Sequence, residues 1–293
     1  MQDFAAYRKT VRTASGEVAY VDVGEGPVAL FVHGVITGAY LWRNVIDGVQ
    51  GERRCIAIDL PLHGESPAGP DQDFSLPALA ELVEEVCAAL ELGAVDLVGN
   101  DTGGAICQIF AARHPERIRT FTLTNTDVQD QTPTPGLQQL EQVVASGQFV
   151  PLALQALEGD LRLARTSVLG PGYEDPAAVS DETIGTFLTP VVGDEARART
   201  LERFLKTMDL DASLKSVEPQ LRQLTAPTLI VWGTGDTFFE TRAAYWLRDT
   251  IPGAVGVVEV PGAKLFFPDE RPGDLVPHLL RHWAAHPAVA ASA

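Results

Sequence analysis

The chain has 293 residues, 45% of them hydrophobic, with a formal net charge of −17 at pH 7. That length and composition support one large packed core and argue against disorder. The negative balance argues against nucleic acid and anionic membrane surfaces as partners, since both repel such a protein.

In chain order, short apolar runs alternate with helical patterns, the rhythm of a mostly parallel sheet flanked by helices. "GEVAYVDVG" (16–24), "PVALFVHG" (27–34) and "RRCIAIDL" (53–60) read as strands. "LPALAELVEEVCAALEL" (76–92) reads as a helix with Leu79, Leu82, Val83, Val86 and Leu90 on one face. "AVDLVGN" (94–100) is a strand that runs straight into the helical "DTGGAICQIFAARHP", and "RTFTLTNTD" (119–127) is the next strand. From 130 to 222 the pattern holds helices and turns but no buried strand. The alternation returns with "APTLIVWG" (226–233), a helix near 239–251, a strand at 255–262 and a last helix near 271–286. Residues 1–129 and 223–293 therefore form an α/β core, and 130–222 a helical lid inserted into it. The closing "HPAVAASA" reads as a frayed tail.

Three cysteines, Cys55, Cys87 and Cys107, lack metal-ligand spacing and read as buried thiols of a reducing compartment. The N-terminus has no basic segment followed by an apolar one, and no apolar run is long enough to span a bilayer. A cytoplasmic protein without membrane attachment is expected. No cofactor or metal is called for, and a homodimer is allowed.

"VGNDTGG" (98–104) lies between a strand and a helix, with small residues around one polar side chain, Asp101. A strained strand-to-helix turn with that spacing is a nucleophile elbow, here carrying aspartate. A plain glycine-rich turn with an aspartate N-cap is the alternative. "FVHGVITGAYLWRN" (31–44) follows an earlier strand. Together these motifs resemble the α/β-hydrolase superfamily, and most of all its haloalkane dehalogenase and epoxide hydrolase branch. The resemblance runs from about residue 15 to 285.

It implies that Asp101 attacks a saturated carbon to form an ester, with the amides of Val35 and Thr102 as oxyanion hole. It also implies that Asp236, in "WGTGDTFF", is the carboxylate that orients a histidine. A helix-capping role is the alternative for Asp236. The other acid position, after the strand at 119–124, holds Asn125, which can orient a water but carries no charge.

The histidine itself is missing. Family members resemble "PGAGHFFPEERP" where this chain reads "PGAKLFFPDERP" (261–272), so the histidine position falls on Leu265 and the glycine before it on Lys264. His33 is the substitute nearest in sequence to the oxyanion loop, although bracing that loop is its simpler role. His63 reads as a loop residue, His114 as a helix end, and His278, His282 and His286 as positions on the last helix, on or near the surface.

Leaving-group donors are depleted too. Dehalogenases resemble "HGNPTSSYLW" with a halide-binding asparagine and carry tryptophan after the nucleophile; Val35 and Thr102 stand in those places. Epoxide hydrolases use lid tyrosines as acids, and the lid here has Tyr173, for which a surface turn in "GPGYEDP" is the better explanation.

Three functions stay open. One is an atypical hydrolase using Asp101 on an apolar small molecule, epoxide-hydrolase-like. Another is a lyase, cyclase or isomerase with Asp101 as general acid or base. The third is a catalytically dead small-molecule binder. The first two place the Asp101 carboxylate in a closed pocket between core and lid.

Overall fold

The computed structural model describes residues 4–288. Most of the tail at 286–293, and the first three residues of the N-terminus, lie outside the described residues. Eight strands form one sheet: β1 (Arg8–Thr13), β2 (Gly16–Val23), β3 (Val28–Val32), β4 (Arg54–Ile58), β5 (Val95–Asn100), β6 (Ile118–Thr124), β7 (Thr228–Gly233) and β8 (Ala254–Val260). Their spatial order is β1-β2-β4-β3-β5-β6-β7-β8. β1 and β2 form an antiparallel hairpin, β2 is antiparallel to β4, and all later neighbours run parallel.

β5, β6 and β7 are buried along almost their whole length, as central strands covered on both faces must be. The sequence reading missed β1. "RKTVRT" has no buried residue and no apolar alternation, because an edge strand over solvent needs neither.

The helix after β5, Thr102–Arg113, is buried on every side except at Arg113. Small and apolar residues all round let it lie between the sheet and two further helices. One neighbour is Leu76–Ala89, started by Ser75, whose hydroxyl accepts from the Ala78 amide. The other is Leu210–Leu221, which belongs to the stretch between β6 and β7 yet packs on this core helix.

Among the described residues, that stretch contains helices and no strand, including Asp181–Val192 and Glu195–Thr207. No helix of the described residues is long and apolar enough to cross a membrane.

The carboxyl ends of β5, β6 and β7 lie side by side. Loops leaving them, at 101, 125–132 and 234–239, therefore converge at one edge of the sheet, where open α/β folds bind ligands.

Candidate active site

Asp101 sits between β5 and the following helix with φ +56° and ψ −140°. A side chain in that region is strained and persists only when its surroundings over-determine it. Here they do. The Asp101 amide donates to the Asn125 carbonyl (2.8 Å). Its carbonyl accepts from the Thr126 hydroxyl (2.6 Å) and the Gly104 amide (2.9 Å). A Cβ on Gly103 would lie 2.2 Å from the His33 carbonyl oxygen, so the turn can close only over glycine.

The Asp101 side chain lies against the backbone of Gly34 and accepts hydrogen bonds from the Val35 and Thr102 amides. Those are the two amides named from the sequence as an oxyanion hole. A Cβ at Gly34 would meet a carboxylate oxygen at 2.2 Å. Gly34→Ala is therefore expected to push the carboxylate off its amides and lower turnover roughly 10²-fold while the fold survives. Steady-state kinetics beside a melting curve checks this.

The loop carrying Val35 is pinned from below. His33 Nε2 accepts the Leu60 amide (2.9 Å), which leaves the proton on Nδ1 to donate to the Gly34 carbonyl (2.7 Å). His63 repeats the pattern, accepting from the Ile36 amide (3.2 Å) and donating to the Pro61 carbonyl (3.1 Å). The carboxylate of Asp59 accepts from the Ala39 amide (2.7 Å) and pairs with Arg8. Burial lowers the pKa of His33 and takes that of His63 to about 3, so both rings are neutral struts. With both nitrogens committed to backbone, His33 has none left to activate a water. His63 was legible only as a loop residue and Asp59 not at all, because their parts depend on contacts between distant loops.

The other histidines lie elsewhere. His114 ends its helix beside Glu81 and Glu116. His282 is buried, not on the surface, with Nε2 at 3.2 Å from the Pro227 carbonyl. Its expected exposure is corrected because the last helix lays that face on the sheet.

Asp236 follows β7 as read. One of its oxygens accepts from the Asn125 side-chain amide (2.7 Å), the other from the Phe238 amide (2.8 Å), and the Thr237 and Phe239 amides add to these. Asn125 is itself fixed, donating to the Gly233 carbonyl and accepting from the Gly233 amide. Asn125 thus holds a carboxylate.

Asp127, three residues past β6, was not singled out from the sequence. It is buried, and its charge acts on Asp101 more strongly than that of Asp236. Burial, the dominant cause, raises all three carboxyls: Asp236 to about 6, Asp127 to about 7, and Asp101 well above its ordinary range. The two neighbouring carboxylates push Asp101 further, while its two amides oppose them. Among the described residues, no group of three His, Cys, Asp or Glu is arranged to hold a metal ion.

Leu265 is buried, and its carbonyl accepts from the side-chain amide of Asn100, the residue before Asp101 (3.0 Å). Lys264 beside it is part-buried. Tyr173 is not a surface turn residue. It is buried against Phe266, and its hydroxyl donates to Asp269 (2.9 Å), which also pairs with Arg43 (2.7 Å). The stretch between β6 and β7 is tied there to the segment after β8. The phenol proton is directed at Asp269, so Tyr173 is spoken for as an acid. All three cysteines are free and buried, which raises their thiol pKa values and leaves them poor nucleophiles.

Asp101 is 9% exposed. Two surface clefts, one around Arg53 and Trp283, the other between Leu62–Ala68 and Pro190–Thr200, include none of the three carboxylates. The pocket expected over Asp101 is thus not one of these two clefts.

A buried carboxylate on a strained strand-to-helix elbow, held by amides from two loops over a mainly parallel sheet, defines a class. Residues 27–270 match the model of the alpha/beta hydrolase fold, and the chain belongs to that family. Within it the chain is haloalkane dehalogenase-like. It is similar to haloalkane dehalogenase 2 of Mycobacterium tuberculosis, 26% identical over 270 residues and 89% of each chain. It also resembles the haloalkane dehalogenase of Mesorhizobium japonicum, 36% identical over 115 residues, 39% of this chain and 37% of that one. In fold it is similar to an α/β hydrolase fold protein from Burkholderia ambifaria (TM-score 0.82, 22% identity, 95% and 98% of the two chains). The haloalkane dehalogenase DbeA of Bradyrhizobium elkani is comparable (TM-score 0.78, 20% identity, 95% and 99%).

Proposed function

We propose that the protein is a hydrolase in which Asp101 opens an epoxide-like electrophile on an apolar small molecule, and that water then cleaves the resulting ester. The observation that carries the reading is the seating of the Asp101 carboxylate on the Val35 and Thr102 amides. With the carboxylate anchored there, one of its oxygens attacks carbon. In the second step the same donors face the oxyanion that forms on the Asp101 carbonyl when water adds. The helices between β6 and β7 serve as the lid, with Phe187 packed on Tyr40 and Phe204 on His63 and Phe74 of the core.

Halide is a poor fit as leaving group. Val35 and Thr102 stand where the dehalogenases that the motifs resemble keep side-chain N–H donors, and neither side chain supplies one. Bromobutane and dibromoethane are therefore expected to release no bromide above the uncatalysed background, as followed with an ion-selective electrode.

The proposed function is tested by incubating the protein with styrene oxide, digesting it and weighing the peptides. A mass increase of one styrene oxide on the Asp101 peptide is the expected result. Turnover with that peptide unmodified at every quench time would count against it.

A second reading has an observation of its own. The buried Leu265, at the position that aligns with the family's histidine, leaves the raised carboxyls without an imidazole, which suits an isomerase or lyase working by proton transfer alone. Product mass separates the two, since hydrolysis adds one water and isomerisation adds nothing.

A further inference from the structure

We propose that Asp127, buried beside the nucleophile just past β6, is the proton-transfer residue of this site. Its carboxylic acid protonates the epoxide oxygen as Asp101 opens the ring, and its carboxylate then takes a proton from the water that cleaves the ester. The proposal rests on the reading of Asp101 as nucleophile.

Position comes first. The Thr126 hydroxyl donates to the Asp101 carbonyl (2.6 Å) and lies 3.5 Å from that of Asp127, so one side chain ties both backbones together. Gln108 fixes the far side, donating to the Asp127 carbonyl (2.8 Å). The backbone of Asp127 is thus held as firmly as that of the nucleophile.

Its carboxyl is held far less. Its donors are its own backbone amide and the Thr132 hydroxyl. The Gln131 side-chain nitrogen, close by in the chain, is buried without a partner. Asp236 differs in this respect. Four donors engage its oxygens, which suits a fixed charge and not a group that must gain and lose a proton. Two carboxyls neighbour Asp101, and Asp127, with two donors against four for Asp236, keeps more of its lone pairs free.

Electrostatics agrees. Asp101 and Asp127 repel as a pair of anions in a dry site, so together they hold a proton near neutrality. The Val35 and Thr102 amides favour the negative charge on Asp101 and oppose its rise, and the proton is shared between the two carboxyls. The charges facing Asp127 are those of Asp101 and Asp236, and the uncharged Thr132 hydroxyl completes its surroundings.

The protons balance. Asp101 forms a C–O bond as the ring C–O bond breaks, and Asp127 gives its proton to the ring oxygen, leaving a hydroxyalkyl ester and an Asp127 carboxylate. Water then adds to the ester carbonyl and loses a proton to Asp127. The tetrahedral intermediate expels the alcohol, whose oxygen takes the proton of the newly added hydroxyl. Asp101 ends as carboxylate and Asp127 as acid, with a vicinal diol as product. One carboxyl acts as acid and then as base, as in retaining glycosidases.

The test is single-turnover quench with styrene oxide above pH 6, following the ester on the Asp101 peptide in wild type, Asp127→Asn and Asp127→Glu. In wild type, ester formation should fall as pH rises through about 7, where Asp127 loses its proton. In Asp127→Asn it should be ~10²–10⁴-fold slower and flat with pH, with slow cleavage of whatever ester forms. Asp127→Glu should restore part of the rate together with the pH dependence. Wild-type rates and pH profile in Asp127→Asn would overturn the role of Asp127 while leaving Asp101 as nucleophile. No ester on Asp101 in wild type would overturn the nucleophile and, with it, this proposal.

Discussion

Replacing Asp101 by asparagine is expected to lower epoxide turnover by at least ~10⁴-fold, the scale seen when a covalent nucleophile is removed. The amide is nearly isosteric and its oxygen can still accept from the Val35 and Thr102 amides, so the elbow should keep its shape. What is lost is an oxygen nucleophile able to form an ester. The fold should not suffer, because the substitution removes a buried group whose ionised form is disfavoured by burial, by Asp127 and by Asp236. Diol formation measured by chromatography, beside a thermal melt, gives both numbers. Undiminished turnover in a folded Asp101→Asn protein would end every catalytic reading built on this carboxylate.

Asp127→Asn is expected to make the protein more stable at pH 8 while it slows catalysis. The Asp127 carboxyl titrates at about 7 in the folded protein against 3.8 ordinarily. A carboxyl raised in the folded state binds protons more tightly there than in the unfolded chain. Its stabilising effect is complete below its ordinary pKa and is lost as pH climbs through the folded value. The loss amounts to roughly 4 kcal/mol across that window, which for a chain of this size is a melting shift of about ten degrees. Wild type should therefore melt progressively lower between pH 5 and pH 8. The variant should lose part of that slope, the remainder coming from Asp101 and Asp236, which are shifted the same way. Scanning calorimetry at several pH values reads this directly. A variant less stable than wild type at pH 8 would mean that Asp127 makes a favourable contact as an anion.

The sequence carried the elbow because its requirements are local. Gly99, Gly103 and Gly104 around Asp101 reflect how closely one turn approaches its neighbours, and that spacing can be read from seven residues. The central strands were legible for a similar reason, since burial on both faces leaves continuous apolar runs. Asp236 was legible as the acidic residue following such a run. β1 was not, because a polar edge strand carries no apolar signal. Asp127 was hidden because its environment comes from three loop ends that meet only in the folded sheet. Nothing in "NTDVQD" shows that the aspartate there faces two other carboxyls. Tyr173 was placed on the surface because "GPGYEDP" reads as a turn; the turn exists, but it docks on Phe266 and Asp269, more than ninety residues away in the chain.

Stability and function pull against each other in this cluster. Burial raises all three carboxyls, with Asp127 and Asp236 adding to the rise at Asp101, and this weakens the fold at neutral pH while leaving a carboxyl that titrates at about 7 beside the proposed nucleophile. Proteins that keep such sites commonly sacrifice stability for activity.

The central claim, attack by Asp101 on carbon, is tested most directly by one turnover of styrene oxide in heavy-oxygen water with enzyme in excess. If water cleaves an Asp101 ester at its carbonyl, the heavy oxygen enters the Asp101 carboxylate and the first-formed diol carries none. A labelled Asp101 peptide and an unlabelled diol are expected. A labelled diol with an unlabelled Asp101 peptide would mean that water attacks the substrate itself, and would contradict the account.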